Sequence, residues 1–288
     1  LPKLDDPVAI SFFGLDIRWY AIFILTGIFC AILLIQWLAR KRGMDPNFPL
    51  DLAPWVVLAA IIGARLYYLL LKPGYYLDNP DEALNLRLGG LTVHGAIAGG
   101  AIALYLYTRH RGERFLAWGD LIVAALPVGQ AIGRWGNWAN QEAFGEPSGL
   151  PWAVTIDPEN RPVEFAQYST FHPTFLYESI LNLAIAAILV AVVLRMPRDR
   201  FWREGDAIWL YLILYGSVRF AIESMRTDSL YIGPFPAAYW ISWGLIGLGI
   251  GMFIARRTIW LGAIVADLPS SVQPPARAVG PAANSEGA

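Results

Sequence analysis

Seven apolar stretches decide what this chain can become. They run from Trp19 to Ala39, Leu52 to Leu71, Gly89 to Thr108, Leu116 to Gly133, Pro173 to Leu194, Asp206 to Met225 and Ala237 to Ala255. Each is close to the ~20 residues that a helix needs to cross a bilayer. In hydrocarbon every backbone polar group must be satisfied within the protein, so runs of this length fold as helices. The expected fold is therefore all-α, a polytopic integral membrane protein of about seven transmembrane helices. Composition agrees, with 56% of the 288 residues hydrophobic and 16% charged. The first run is long enough to span and reads as an uncleaved anchor.

The stretches divide the chain into parts. Residues 1–18 read as an interfacial lead-in, 19–139 as spans one to four, and 140–172 as a small extramembrane head carrying Pro147, Pro151, Pro158 and Pro162. Residues 173–257 hold spans five to seven, and 258–288 read as a disordered tail rich in Pro, Ala, Ser and Gly. Orientation follows from basic residues, which concentrate in cytoplasmic loops. The loops after spans one, three, five and seven hold twelve Lys and Arg: Arg40, Lys41, Arg42, Arg109, Arg111, Arg114, Arg195, Arg198, Arg200, Arg203, Arg256 and Arg257. The opposite side holds six: Lys3, Arg18, Lys72, Arg87, Arg161 and Arg226. The amino terminus and head are then expected outside and the carboxyl terminus inside.

Several chemistries are excluded. A net charge of -1 gives no basic field for nucleic acid. The single Cys30 lies in an apolar run, so neither a disulfide framework nor a cysteine-rich zinc site is available. There is no His-Glu-x-x-His zinc helix, Walker loop or Gly-x-Ser-x-Gly elbow. No internal repeat is evident, which disfavours a transporter of duplicated halves.

Polar residues at membrane depth mark function because leaving water is costly. The richest group is Gly133-Arg134-Trp135-Gly136-Asn137-Trp138-Ala139-Asn140-Gln141-Glu142-Ala143-Phe144-Gly145, at the exit of span four. Its bland reading is a helix end with a snorkelling arginine and a glycine-rich turn. Its functional reading is a pocket where Arg134, Asn137 and Asn140 hold an anionic oxygen group. His94 stands at the outer end of span three beside Gly95 and Gly99, a face that permits close helix contact. A histidine there is either incidental to packing or a general base suited to neutral pH. In span six, Tyr211, Tyr215, Arg219, Glu223 and Arg226 share one helical face. Arg219 and Glu223 form either a buried structural pair or part of a second anion clamp. Glu178 needs a partner, for which an arginine is suited. Arg65 in span two is a third intramembrane arginine. Three arginines suggest an anion, and in a bilayer the natural anion is a lipid phosphate.

The stretch Gly133 to Gly145 resembles the signature of bacterial prolipoprotein diacylglyceryl transferases. Weaker matches occur in the family's order: Arg18-Trp19-Tyr20, Gly63-Ala64-Arg65, His94-Gly95, His172-Pro173 with Tyr177-Glu178, and Arg219-Phe220 with Glu223 and Arg226. The likeness covers roughly Arg18 to Arg257. Ala96, Trp138 and Ala21 depart from the usual glycine, phenylalanine and glycine, and the family's glutamine near Tyr239-Trp240 is missing.

The resemblance implies a bacterial inner-membrane transferase with its active site at the periplasmic or extracytoplasmic face. It would move a diacylglyceryl group from phosphatidylglycerol to the lipobox cysteine of preprolipoprotein signal peptides, releasing glycerol phosphate. No metal or soluble cofactor is expected, and the only further partner is the bilayer. Arg134 and Arg219 would stabilise the leaving phosphate. His94 is the first candidate for the base that takes the thiol proton, with Glu142 and Glu223 as rivals. Asn137, Asn140, Tyr20 and Arg226 would bind the lipid head group, and Gly145 would shape the turn below the head. The alternatives are a lipid or organic-anion transporter, or an inactive paralogue.

Overall fold

The computed structural model describes residues 1, 4, 6–12, 15–85 and 89–266. Of the tail predicted to be disordered over 258–288, residues 258–266 instead continue a helix, and those from 267 onward lie outside the described residues, as do Lys3 and Arg87. Strands β1 (Val8–Phe12) and β2 (Leu15–Arg18) pair antiparallel and feed directly into α1 (Trp19–Arg42). Next come α2 (Phe48–Leu71), the short α3 (Pro73–Asp78), α4 (Val93–Arg111) and α5 (Phe115–Ala139). A two-residue ladder joins β3 (Val154–Thr155) to β4 (Thr170–Phe171). Then follow α6 (Thr174–Arg195), α7 (Asp206–Glu223), the hairpin β5 (Tyr231–Ile232) and β6 (Phe235–Pro236), and α8 (Ala237–Ala266).

Among the described residues, α1, α2, α5, α6 and α8 are long and apolar enough to cross a membrane. The other two predicted spans form helices of 19 and 18 residues. They are less apolar for visible reasons. Glycines run through α4, which ends in Arg109-His110-Arg111, and α7 carries Asp206, Arg219 and Glu223. Two boundaries move most. α5 runs to Ala139 rather than ending at Gly133, and α8 continues past Ala255 to Ala266.

α5 is the central helix. It packs against α1, α6 and α7, while α2 pairs with α4 and α7 with α8. Half of the apolar window of α5 (50%) is buried, against 17% for α1 and 11% for α2. The outer helices therefore keep apolar faces outward, as a protein in lipid should. The α2–α4 contact depends on small residues: a Cβ on Gly95 would lie 2.2 Å from the Gly63 carbonyl oxygen, and one on Gly99 would lie 2.1 Å from that of Ala59. Only glycine lets the backbones approach so closely.

The main core lies at the end of the bundle with the basic loops. Phe48 stacks on Trp118 with centroids 4.0 Å apart, among Leu38, Leu121, Leu189 and Val193. Asp120 accepts from the backbone N–H groups of Gly205 at 2.6 Å and Ala207 at 3.1 Å, fixing the start of α7. Buried Asp206 accepts from Arg257 at 2.9 Å and so ties α7 to α8. The opposite end has a smaller cluster of Phe144, Val154, Ile156, Phe171 and Phe175, which seats residues 140–173 on α5 and α6.

Candidate active site

Two cavities open at the end of the bundle away from the basic loops. The first, about 600 Å³, is lined by Val93, His94 and Ile97 from α4, Tyr215, Arg219 and Glu223 from α7, then Arg226, Asp228 and Leu230, and by the start of α8. The second, about 440 Å³, lies between α1 and α5 and takes in Tyr20, Gln130, Gly133, Arg134 and Asn137. Val93 and Tyr215 line both, so they form the partition between them. Arg134 and Arg219 thus face different cavities on either side of one wall.

Local structure explains how each side chain is placed. α4 begins at Thr92, whose hydroxyl accepts from the Gly95 amide at 3.3 Å and donates to the Ala64 carbonyl at 3.1 Å. That cap and the glycine contact with α2 set His94 at the cavity mouth, exposed, with its ring 6.2 Å from that of Tyr67. Arg65 supports the same corner. Its guanidinium donates to the carbonyls of Ala83 at 2.8 Å, Glu82 at 2.7 Å, Gly89 at 2.7 Å and Gly90 at 3.3 Å. Arg65 is therefore spent on backbone and is not a third anion site, which corrects the sequence expectation.

Arg134 sits within α5, not in a turn, because the helix continues through Gly136. A Cβ on Gly136 would lie 2.7 Å from the Tyr20 ring, so that glycine makes room for Tyr20 rather than breaking the helix. Arg134 Nη2 lies 2.5 Å from Glu178 Oε2, and its Nη1 donates to Asn137 Oδ1 at 3.3 Å. Asn137 donates in turn to Glu142 Oε1 at 2.9 Å, as does Asn140 at 3.4 Å. Glu142 and Asn140 themselves line a polar hollow of about 360 Å³ shared with Asp157, Glu159 and Asn160. Glu178 is thus the arginine-paired acid that the sequence called for, and its other oxygen lies 3.6 Å from Arg226 Nη1.

In the first cavity Arg219 Nη2 lies 2.5 Å from Glu223 Oε2, one helical turn on. Arg219 Nη1 is buried and has no hydrogen-bond partner among the described residues. A buried donor left without an acceptor is costly, and Arg219 itself lines the cavity, where an arginine suits an anionic oxygen ligand. Arg226 is held by Asp228 through two bonds, of 2.9 and 2.7 Å. Burial pushes the Asp228 carboxyl up, but the two Arg226 bonds outweigh it and hold that carboxyl below its ordinary value. Gly145 bridges to Arg226, and its amide donates to the His172 carbonyl at 2.9 Å. A Cβ there would lie 2.8 Å from the Met225 carbonyl oxygen. Gly145 therefore joins the segment between α5 and α6 to the end of α7.

Sequence reasoning did not assign three residues that the geometry brings in. Tyr215 forms the partition; its place in the Arg219 stripe was the available signal. Gln130 donates to the Tyr211 hydroxyl at 2.9 Å behind that partition. Asp228 holds Arg226, and only its position two residues further on hinted at that. Among the described residues no group of three or more His, Cys, Asp or Glu could hold a metal ion.

Comparison with known proteins gives a consistent result. The family model described as prolipoprotein diacylglyceryl transferase matches residues 7–255. Three similar proteins carry the name phosphatidylglycerol–prolipoprotein diacylglyceryl transferase. The one from Acaryochloris marina is 41% identical over 89% of this chain and 91% of its own. That from Synechococcus elongatus is 40% identical over 93% and 91%. That from Finegoldia magna is 40% identical over 85% and 93%.

Proposed function

Because this chain belongs to the prolipoprotein diacylglyceryl transferase family, we propose that it moves the diacylglyceryl group of phosphatidylglycerol to the lipobox cysteine of preprolipoproteins. The cysteine sulfur attacks a glycerol carbon, a carbon–sulfur bond forms and the carbon–oxygen bond to phosphate breaks. The bonding pair leaves with glycerol phosphate, and the thiol proton passes to a base. The observation that carries the residue roles is the first cavity, where His94, Glu223 and Arg219 line one space.

In this reading Arg219 meets charge as it grows on the leaving phosphate, when it lowers the barrier most. His94 takes the thiol proton at the cavity mouth. Arg134, Asn137 and Tyr20 hold the lipid head group from the other side of the Val93–Tyr215 partition. Glu142 orients the two asparagines, and Arg226 extends positive charge toward the outer rim. Both substrates are membrane-borne and enter sideways between helices. The site faces the extracytoplasmic side of the bacterial inner membrane, with seven spans and the basic loops in the cytoplasm.

The test uses purified protein with phosphatidylglycerol vesicles and a synthetic lipobox peptide. The peptide should gain the mass of a diacylglyceryl group while glycerol phosphate appears in equal amount. An unmodified peptide with lipid carried across the vesicle wall would favour a transporter instead.

A further inference from the structure

Glu142 is bracketed by two strained residues. Gln141 has φ 51° and Ala143 φ 55°, the positive-φ residues other than glycine among those described. A Cβ disfavours that region, and such backbone persists where the surroundings over-determine it. Here the constraint comes from both sides. Gln141 Nε2 donates to Asp157 Oδ2 at 2.8 Å, and the Asp157 amide donates back to Gln141 Oε1 at 2.7 Å. Beyond Glu142, the Thr174 hydroxyl at the start of α6 donates to the Ala143 carbonyl. Between these fixed points the Glu142 carboxylate meets Asn137 and Asn140, and Asn137 meets Arg134.

We infer that Gln141 and Asp157 are positioning residues for diacylglyceryl transfer: their clasp holds the backbone on either side of Glu142 so that its carboxylate aligns Asn137 and, through it, Arg134. The inference rests on the reading above that Glu142 and Arg134 act in the site. A small misplacement of an orienting group lowers the chemical step more than binding.

Three variants of the whole protein, assayed with phosphatidylglycerol vesicles and lipobox peptide, test it. Gln141→Ala loses the clasp and keeps the strain, so kcat should fall on the order of tenfold with KM for phosphatidylglycerol unchanged. Gln141→Gly also loses the clasp, but glycine adopts positive φ freely and most of the lost kcat should return. Glu142→Gln should lower kcat by itself. Wild-type kcat in Gln141→Ala, or equal losses in the Ala and Gly variants that track melting temperature, would overturn the positioning role. Wild-type kcat in Glu142→Gln would instead overturn the reading of Glu142 on which the inference stands.

Discussion

The carboxylate of Glu178 lies 2.5 Å from Arg134 Nη2, buried between α5 and α6. Its second oxygen reaches toward Arg226 from the far side, so one acid balances arginines of both cavities. Removing one partner of a buried pair leaves a charge uncompensated, at about 3–5 kcal/mol. Glu178→Gln should therefore lower the melting temperature in detergent more than any single change at the rim, such as Asp228→Asn. A melting temperature equal to wild type would mean that water or lipid already compensates both arginines.

Asp228 answers a pH question. A carboxyl held below its ordinary value adds stability that is full above the unfolded pKa of about 3.9 and fades as pH falls through the lower folded value. The Asp228 side chain is half exposed, so the contribution is at most about 1 kcal/mol. Asp228→Asn should then be slightly less stable than wild type from pH 7 to 5, and the two curves should converge in stronger acid. A gap that widens on acidification would reverse the assigned sign.

Gly145 should tolerate no side chain. The Met225 carbonyl, the His172 Cβ and the Thr174 methyl all crowd the position a Cβ would take. Gly145→Ala should displace the strand-like contact with Arg226 and lower activity, while spans and membrane insertion survive. Activity and expression together check this; wild-type turnover would show that the segment between α5 and α6 adjusts around an extra methyl.

What the sequence made legible was local. An apolar run is its own signal, so the helices were found, and the Arg219–Glu223 pair follows from a spacing of four. The choice of partner for Glu178 is tertiary: sequence demanded a cation, and only packing of α5 on α6 selected Arg134. α5 was cut short because Gly133 and Gly136 look like a turn, yet Gly136 exists to seat Tyr20. Arg65 misled for the reverse reason. Its charge stood out, while the four carbonyls that absorb it belong to an irregular segment with no pattern to read.

His94 is exposed at the mouth of the first cavity, where a mobile thiol can reach it. As the base it belongs to the chemical step, so His94→Gln should lower kcat sharply and leave phosphatidylglycerol binding largely intact. Single-turnover assays separate the two. Near-normal turnover would pass the proton to Glu142 or Glu223.

Arg219 and Glu223 expose the mechanism most directly, because a pair this close is also what a purely structural bridge would show. Lysine at 219 keeps the charge and loses the planar fork. Losing one preorganised donor typically costs about 2.7–4 kcal/mol in the transition state, so Arg219→Lys should slow transfer at least tenfold and on the order of a hundredfold or more. Arg134→Lys should also slow transfer, in kcat more than in KM, if Arg134 orients the lipid head group for attack. A structural bridge makes a different forecast: Arg219→Gln and Glu223→Gln would destabilise the fold alike, each leaving a buried group unpaired. Phosphate stabilisation predicts instead that Arg219→Gln stays folded and loses turnover. Melting temperature and kcat measured on the same preparations of all four variants decide between them. If turnover falls only in step with stability, the arginine holds the bundle together and the leaving phosphate is stabilised elsewhere.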